Sequence, residues 1–420
     1  MEAVQRKKIL VPIFNRAHYG RLRSVLKAIQ QHPNLTLQVI TAIPAAHDHF
    51  FLNLRHSRPH SWRLALPWYI RARLLSFLEW FSPKALWQSD FLIKHITADG
   101  FTVAARVPLF LDGGIPETMA KSVGLGIFKI VDVLKKLKPD LVFVNADRFE
   151  MMAVTLAAAY MNIPVAHNEG GDVSGTIDES IRHAITKFAH VHFTATETSR
   201  KRVLQMGENP AYVFTVGSPV IDWLKTMDKR IPDNLLPGID IKKPYAVIVL
   251  HPVATDTSEQ NVQMTANLIR VLEGLQIPTV FLGSNIDGGS DDVGKTVRAW
   301  RAAANPSFAF FAKHLPPDDF YRVLANAVVA VGNSSSFIRE GAYFGTPTVI
   351  IGSRQRNRDR GKNVMEVGVN VEEIKKGIEA QLRHGRYPSD KLFGDGQTGK
   401  RIAELLATTK PNIQKEFHEI

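Results

Sequence analysis

The sequence predicts an α/β protein with two parallel sheets, each covered by helices. Three observations predict it. Short apolar runs alternate with helix-length amphipathic stretches, the alternation stops and restarts once, and Gly, Ser and acidic residues gather where apolar runs end. Strands alternating with helices of about 10 to 15 residues build parallel sheets flanked on both faces. A chain of 420 residues, 45% hydrophobic, has room for two such units and apolar material for their cores.

In the first half, residues 7–14 form an apolar run, Leu22 to Gln31 carries a helical pattern and Thr36 to Ala42 is apolar again. Strands are then expected at Asp140–Asn145, Pro164–His167, His192–Thr196 and Tyr212–Val216, with helices at Met151–Met161 and Asp178–Phe188. A Pro- and Lys-bearing stretch, Asp228 to Pro244, precedes the restart. There, strands are expected at Tyr245–Leu250, Thr279–Leu282, Phe308–Phe311, Val328–Val331 and Thr348–Ile351. Helices at 258–274, 293–304, 317–326, 335–344 and from Val371 alternate with them. The expected division is 1–222 for the first Rossmann-like domain, 223–395 for the second, and a C-terminal helix within 396–420 that packs back on the first.

Residues 50–91 break the rhythm. They hold Trp62, Trp68, Trp80 and Trp87 with Arg55, Arg58, Arg63, Arg71, Arg73 and Lys84 against only Glu79 and Asp90. This basic, aromatic insertion suits a lid or a subunit contact, or peripheral contact with an anionic membrane.

The absence of Cys removes disulfides, thiol nucleophiles and thiolate metal sites. A charged opening and the lack of any apolar run of membrane-spanning length point to a cytoplasmic protein. Lys and Arg total 52 against 40 acids, a net +12 that favours polyanions, acidic surfaces or phosphorylated small molecules. No phosphate-binding Walker loop, G-x-G-x-x-G or H-E-x-x-H occurs, which argues against ATP hydrolysis, a nicotinamide cofactor and zincin chemistry.

Chemistry concentrates at strand ends, where ligands of parallel α/β sheets bind. Asp147 and Arg148 follow one strand; taken alone, Asp147 reads as a helix cap before it reads as a site acid. Glu169-Gly170-Gly171-Asp172 follows the next, and Asp178 opens a helix, with Arg182 and His183 one turn on. If Asp147, Glu169 and Asp178 crowd one volume, their carboxyl pKa values rise, as general acids and bases require. The two glycines suggest close approach of backbone to ligand. In the second half His251 ends a strand, Asn285 lies beyond another, and Gly332-Asn333-Ser334-Ser335-Ser336 leads into a helix bearing Glu340. Such a turn offers N–H groups and hydroxyls to phosphate, and Glu340 could take ribose hydroxyls. Arg354, Arg356, Arg358 and Arg360 form a cationic loop suited to a diphosphate, and Arg16 adds a cation after the first strand.

Together these segments resemble the hydrolysing UDP-N-acetylglucosamine 2-epimerases, above all their sialic-acid-pathway branch, including the epimerase half of the bifunctional animal enzyme. The resemblance rests on Asn15-Arg16-Ala17-His18-Tyr19, on 147–150, on the long block 169–187, on 250–253, on Gly332-Asn333-Ser334-Ser335, on Arg339-Glu340, on 344–347 and on 352–355. It implies a glycosyltransferase-B-like fold with the active site between two Rossmann-like domains. It also implies a nucleotide held by Arg16, His251, Asn285, Ser334, Ser335, Glu340 and Arg354, sugar chemistry by Asp147, Glu169 and Asp178, no metal or other cofactor, no nucleic-acid partner, and a homo-oligomer. The implied reaction turns UDP-N-acetylglucosamine into UDP and N-acetylmannosamine through a 2-acetamidoglucal, in sialic-acid-like or surface-glycan biosynthesis. A GDP-linked, 4-amino or 6-deoxy sugar and a glycosyltransferase of the same fold are the alternatives. The chain departs from the family pattern at His18, where an acid is usual, at Ala146 in place of Gly, at Asn168, and at Phe337 beside the serine turn.

Overall fold

The computed structural model describes residues 6–45, 92–111, 116–240, 243–253, 255–283, 290–312 and 315–419. The insertion at 50–91 and Asn285 lie outside the described residues.

Continuous apolar runs buried on both faces form the strands, as parallel sheets require. The first sheet holds β1 (Lys7–Ile13), β2 (Leu35–Pro44), β3 (Val103–Phe110), β4 (Leu141–Asn145), β5 (Val165–Asn168), β6 (Val191–Thr194) and β7 (Val213–Thr215). Their order is β3-β2-β1-β4-β5-β6-β7, all parallel. Between them run helices α1 (Arg16–Gln31), α2 (Pro116–Leu137), α3 (Phe149–Tyr160), α4 (Ile177–Phe188) and α5 (Glu197–Gln205), and α6 (Val220–Thr226) leads to the second sheet. That sheet comprises β8 (Ala246–Val249), β9 (Thr279–Leu282), β10 (Ala309–Ala312), β11 (Val329–Gly332), β12 (Thr348–Ile351) and β13 (Val364–Val367). Its order is β10-β9-β8-β11-β12-β13, again all parallel. Helices α7 (Ser258–Leu275), α8 (Ser290–Ala304), α9 (Pro317–Asn326), α10 (Ser335–Phe344) and α11 (Val371–His384) complete this half, and α12 (Thr398–Thr408) follows. These are the two α/β units expected from the alternation, in the Rossmann-like, glycosyltransferase-B-like form that the resemblance implies.

Each sheet buries both faces. In the first, Leu22, Val25 and Leu26 of α1 meet Ile402, Ala403 and Leu406 of α12 on one side, while Ile130, Leu134, Met151 and Val154 of α2 and α3 fill the other. The Lys7 ammonium ties α12 down by donating to the carbonyls of Leu406 (2.9 Å) and Thr409 (2.8 Å).

Several elements differ from the sequence expectation. Helix α1 begins at Arg16, not Leu22, because the Asn15 side chain accepts from the His18 N–H and caps it there. Its first turn holds Arg16 and His18 beside the core residue Tyr19, so the apolar stripe there is interrupted. The strands β3 and β13 were not expected: both are sheet edges, and the alternation of exposed and half-buried positions in β3 hides the apolar run. Nor were α2, α5 and α6.

In both sheets the strand order reverses at one point, between β1 and β4 and between β8 and β11. There the following loops diverge and leave a crevice. Two seams join the halves around it. At one, the buried Arg23 donates to Asp318 (2.8 Å) and pairs with Asp99 (2.9 Å), while Trp223 Nε1 donates to Asp318 (2.9 Å). At the other, Gly175 N donates to Arg354 O (3.1 Å), and Thr196 and Arg202 both bind Asp359. Among the described residues no helix is long and apolar enough to cross a membrane.

Candidate functional site

Three strand ends of the first sheet (β1, β4 and β5) and three of the second (β8, β11 and β12) deliver the expected residues to this crevice. After β4, Ala146 adopts a left-handed φ of +62°, held by His167 Nε2 against its carbonyl (2.8 Å). That turn aims Asp147 at Arg182, whose guanidinium pairs with it and also donates to Asp172 O (2.8 Å). Asp147 therefore does not cap α3, whose N-cap residue is Arg148. Arg148 turns its Nε to Glu150, 3.1 Å from each carboxylate oxygen. Asp178 lies half-buried on the first turn of α4, on the helix that carries Arg182.

Glu169 also has a left-handed φ, +62°, and is 2% exposed. Non-glycine residues held there cost of order 1 to 3 kcal/mol and cluster at functional sites. Its Oε1 lies 2.9 Å from Arg339 Nη1 and accepts from Ser218 Oγ (2.7 Å), and its Oε2 is 3.8 Å from Arg21 Nη1. Burial alone would raise this carboxyl group, but Arg339 and Arg21 overcome it and hold it down at about 2. The expected mutual raising of crowded carboxylates is thus not found at Glu169. Asp147, Glu169 and Glu340 each face an arginine.

The glycine expectation also changes. A Cβ on Gly171, whose φ is +78°, would lie 2.1 Å from Ser199 O, so this glycine serves packing of α5 and does not open space for a ligand. Nearby Asp172 accepts from Ser199 Oγ (2.8 Å) and faces Arg358 (3.5 Å).

From the second half, Asn333 bridges the switch point. Its Oδ1 accepts from His251 N (2.7 Å) and its Nδ2 donates to His251 O (2.8 Å). Ser334 caps α10, its Oγ accepting from Ser336 N (3.4 Å), and Ser335 Oγ accepts from Arg21 Nη2 (3.3 Å). Glu340 is fully buried 4.0 Å from Arg339 Nε, and neither carboxylate oxygen accepts a hydrogen bond from another residue. Burial raises its pKa, against the pull of Arg339 and Arg21. Arg354 Nη1 reaches Asn333 O (3.3 Å), and Arg358 is buried against Gln355 and Asp172. Arg356 is exposed and Arg360 pairs with Glu366, so alternate arginines of the loop point away from the cleft. Arg16 opens α1 half-buried, below His18, whose imidazole burial and the neighbouring Arg148 and Arg21 push down to about 3.

The structure thus links Ser335, Arg21, Glu169, Arg339 and Glu340 in one chain of contacts, and Asp147, Arg182 and Asp172 in a second beside it. Arg21, Asp172, Ser218 and Arg339 were missed as site residues. Their signal was faint: an arginine within an otherwise apolar helical stretch, as in Phe337-Ile338-Arg339-Glu340-Gly341-Ala342, is the clearest. Phe337 is fully buried in the second core, so it does not narrow the serine turn, and Asn168 pairs with Asn145 (2.6 Å).

A model of the UDP-N-acetylglucosamine 2-epimerase family matches residues 89–407. The chain belongs to this family. It is 34% identical over 318 residues to a hydrolysing UDP-N,N′-diacetylbacillosamine 2-epimerase of Legionella pneumophila, covering 75% of this chain and 83% of that one. A UDP-N-acetylglucosamine 2-epimerase of Neisseria meningitidis is 27% identical with 99% of both chains covered. A solved UDP-N-acetylglucosamine 2-epimerase from Neisseria meningitidis, bound to its UDP-sugar, shares the fold with a TM-score of 0.73 at 17% identity, over 96% of this chain and 100% of that one.

Proposed function

We propose that this epimerase-family chain is a hydrolysing 2-epimerase that takes UDP-N-acetylglucosamine to UDP and N-acetylmannosamine. One observation carries the reading: acids of the first domain and the buried serine turn with Glu340 of the second face one crevice in a chain of this family. Arg16, His251, Asn285, Ser334, Ser335, Glu340 and Arg354 hold the nucleotide, with Arg148 near the sugar, and Asp147, Glu169 and Asp178 move protons. The C1–O bond to UDP breaks as the C2 proton leaves, giving the 2-acetamidoglucal. Water then adds its hydroxyl to C1, and a proton returns to C2 on the opposite face. The arginines offset charge on the departing diphosphate, and the acids give and take the protons.

Purified protein with UDP-N-acetylglucosamine in D2O should release UDP and N-acetylmannosamine carrying one deuterium at C2. Release without deuterium, or transfer only to an added acceptor, would defeat the reading. The Legionella relative favours a second substrate, UDP-N,N′-diacetylbacillosamine, and kcat/KM for the two sugars decides between them. The proposed enzyme is a homodimer, which light scattering checks.

A further inference from the structure

We propose that Arg339 and Arg21 hold Glu169 across the cleft only until a nucleotide diphosphate arrives, and that the diphosphate competes for these guanidinium groups and so frees the carboxylate for proton transfer. The inference rests on the reading that the nucleotide binds at the Ser334 turn.

Arg339 lies one helical turn beyond Ser335 on α10, so both face the same side near the helix N-terminus, where backbone N–H groups and the helix dipole attract anions. Its guanidinium is 1% exposed and uses Nη1 for Glu169, while Nε and Nη2 donate to no acceptor. Buried donors without acceptors are costly, and a cation placed so is prepared for an acceptor that comes from outside the fold. Arg21 already bridges the two sides, touching Ser335 Oγ (3.3 Å) and Glu169 Oε2 (3.8 Å). A diphosphate seated on the serine turn therefore meets the two cations that bind Glu169. It carries more charge than one carboxylate and offers several oxygens to the planar forks.

The consequence is an ordering of events. With both guanidinium groups on it, the carboxylate is a weak base. Once phosphate shares their charge, its proton affinity rises and it can take or return the C2 proton. Arg358, Glu340 and Asp172 also face Glu169, as do His18 and His167, which burial keeps neutral. None of these bridges Glu169 to the serine turn, so Arg339 and Arg21 are the contacts that a diphosphate there can change.

The test uses the full chain labelled with ¹³C at the glutamate carboxyl, the Glu169 resonance being identified by its loss in Glu169→Gln. Without nucleotide the resonance should stay that of a carboxylate from about pH 8 to about pH 4, and with saturating UDP its midpoint should rise by at least about one unit. Inorganic pyrophosphate should act like UDP, whereas uridine should leave the titration where it was. UDP that binds by calorimetry yet leaves the Glu169 titration unchanged overturns this inference alone. So does a shift produced equally by uridine. Failure of UDP to bind at all defeats the nucleotide site and this inference together. Arg339→Gln, if folded, should show the raised midpoint without ligand; an unraised one counts against the inference.

Discussion

At the scale of single residues, charge pairing decides which acids are available. Glu169→Gln, Asp147→Asn and Asp178→Asn keep shape but remove proton transfer, and each should lower kcat by about 10²- to 10⁴-fold at saturating substrate. Full turnover in all three variants would end the assignment. The low pKa of Glu169 also makes a stability prediction. A carboxyl lowered from 4.5 to about 2 on folding adds stability that is complete above its unfolded value and lost as pH falls toward 2. The gap in Tm between wild type and Glu169→Gln should therefore shrink as pH drops from about 5 toward 2. Ala146 gives a separate case. It occupies a left-handed φ of +62° where the family pattern has Gly, so Ala146→Gly should raise stability by about 0.5 to 1 kcal/mol, read by urea unfolding. Unchanged stability would mean that the turn held by His167 carries no strain.

Among the elements, α10 has two duties at its first turn, and they can be separated. Ser334 caps the helix, so Ser334→Ala should cost about 1 kcal/mol whether or not nucleotide binds. Ser334→Asp should restore the cap, because Asp also accepts from the helix N–H groups, yet it places a negative charge against the diphosphate. The expected result is wild-type Tm without ligand and a much smaller rise in Tm with UDP. A full UDP response in Ser334→Asp would show that the serine serves the helix alone. Elements with continuous apolar runs, such as β4, β9 and β12, were legible from sequence because burial on both faces leaves little room for polar residues. The edge strands β3 and β13 were not, since a partly exposed face tolerates Arg106 and Glu366 and erases the pattern.

For the whole molecule, the cleft is defined by its two seams. Gly175 leaves no room for a side chain, because a Cβ would lie 2.1 Å from Ser353 O in the other half. Gly175→Val should force the seam apart while leaving both sheets folded. Small-angle scattering should record a larger radius of gyration, and kcat should fall with far-UV dichroism unchanged. An unaltered radius with full activity would show that the seam has no part in closing the site. Ligand linkage gives the matching test from the other side. UDP should raise the melting temperature of wild type, and the rise should be reduced in Glu340→Ala and Arg354→Ala. A full rise in both would move the nucleotide elsewhere.

The sequence by itself determined the two-sheet architecture, the strand ends where Asp147, Glu169, His251 and Ser334 stand, and the family, because periodic burial and local motifs are written within a few residues of chain. What only the tertiary structure decided is how the charges pair. Glu169 meets Arg339 and Arg21, and Asp147 meets Arg182, through contacts between elements far apart in the chain. A carboxyl's proton affinity depends on burial and on the nearest opposite charge, and both arise only when distant elements pack, within the first half for Asp147 and across the halves for Glu169 and Arg339. Composition showed a surplus of cations; the fold assigned them to particular acids.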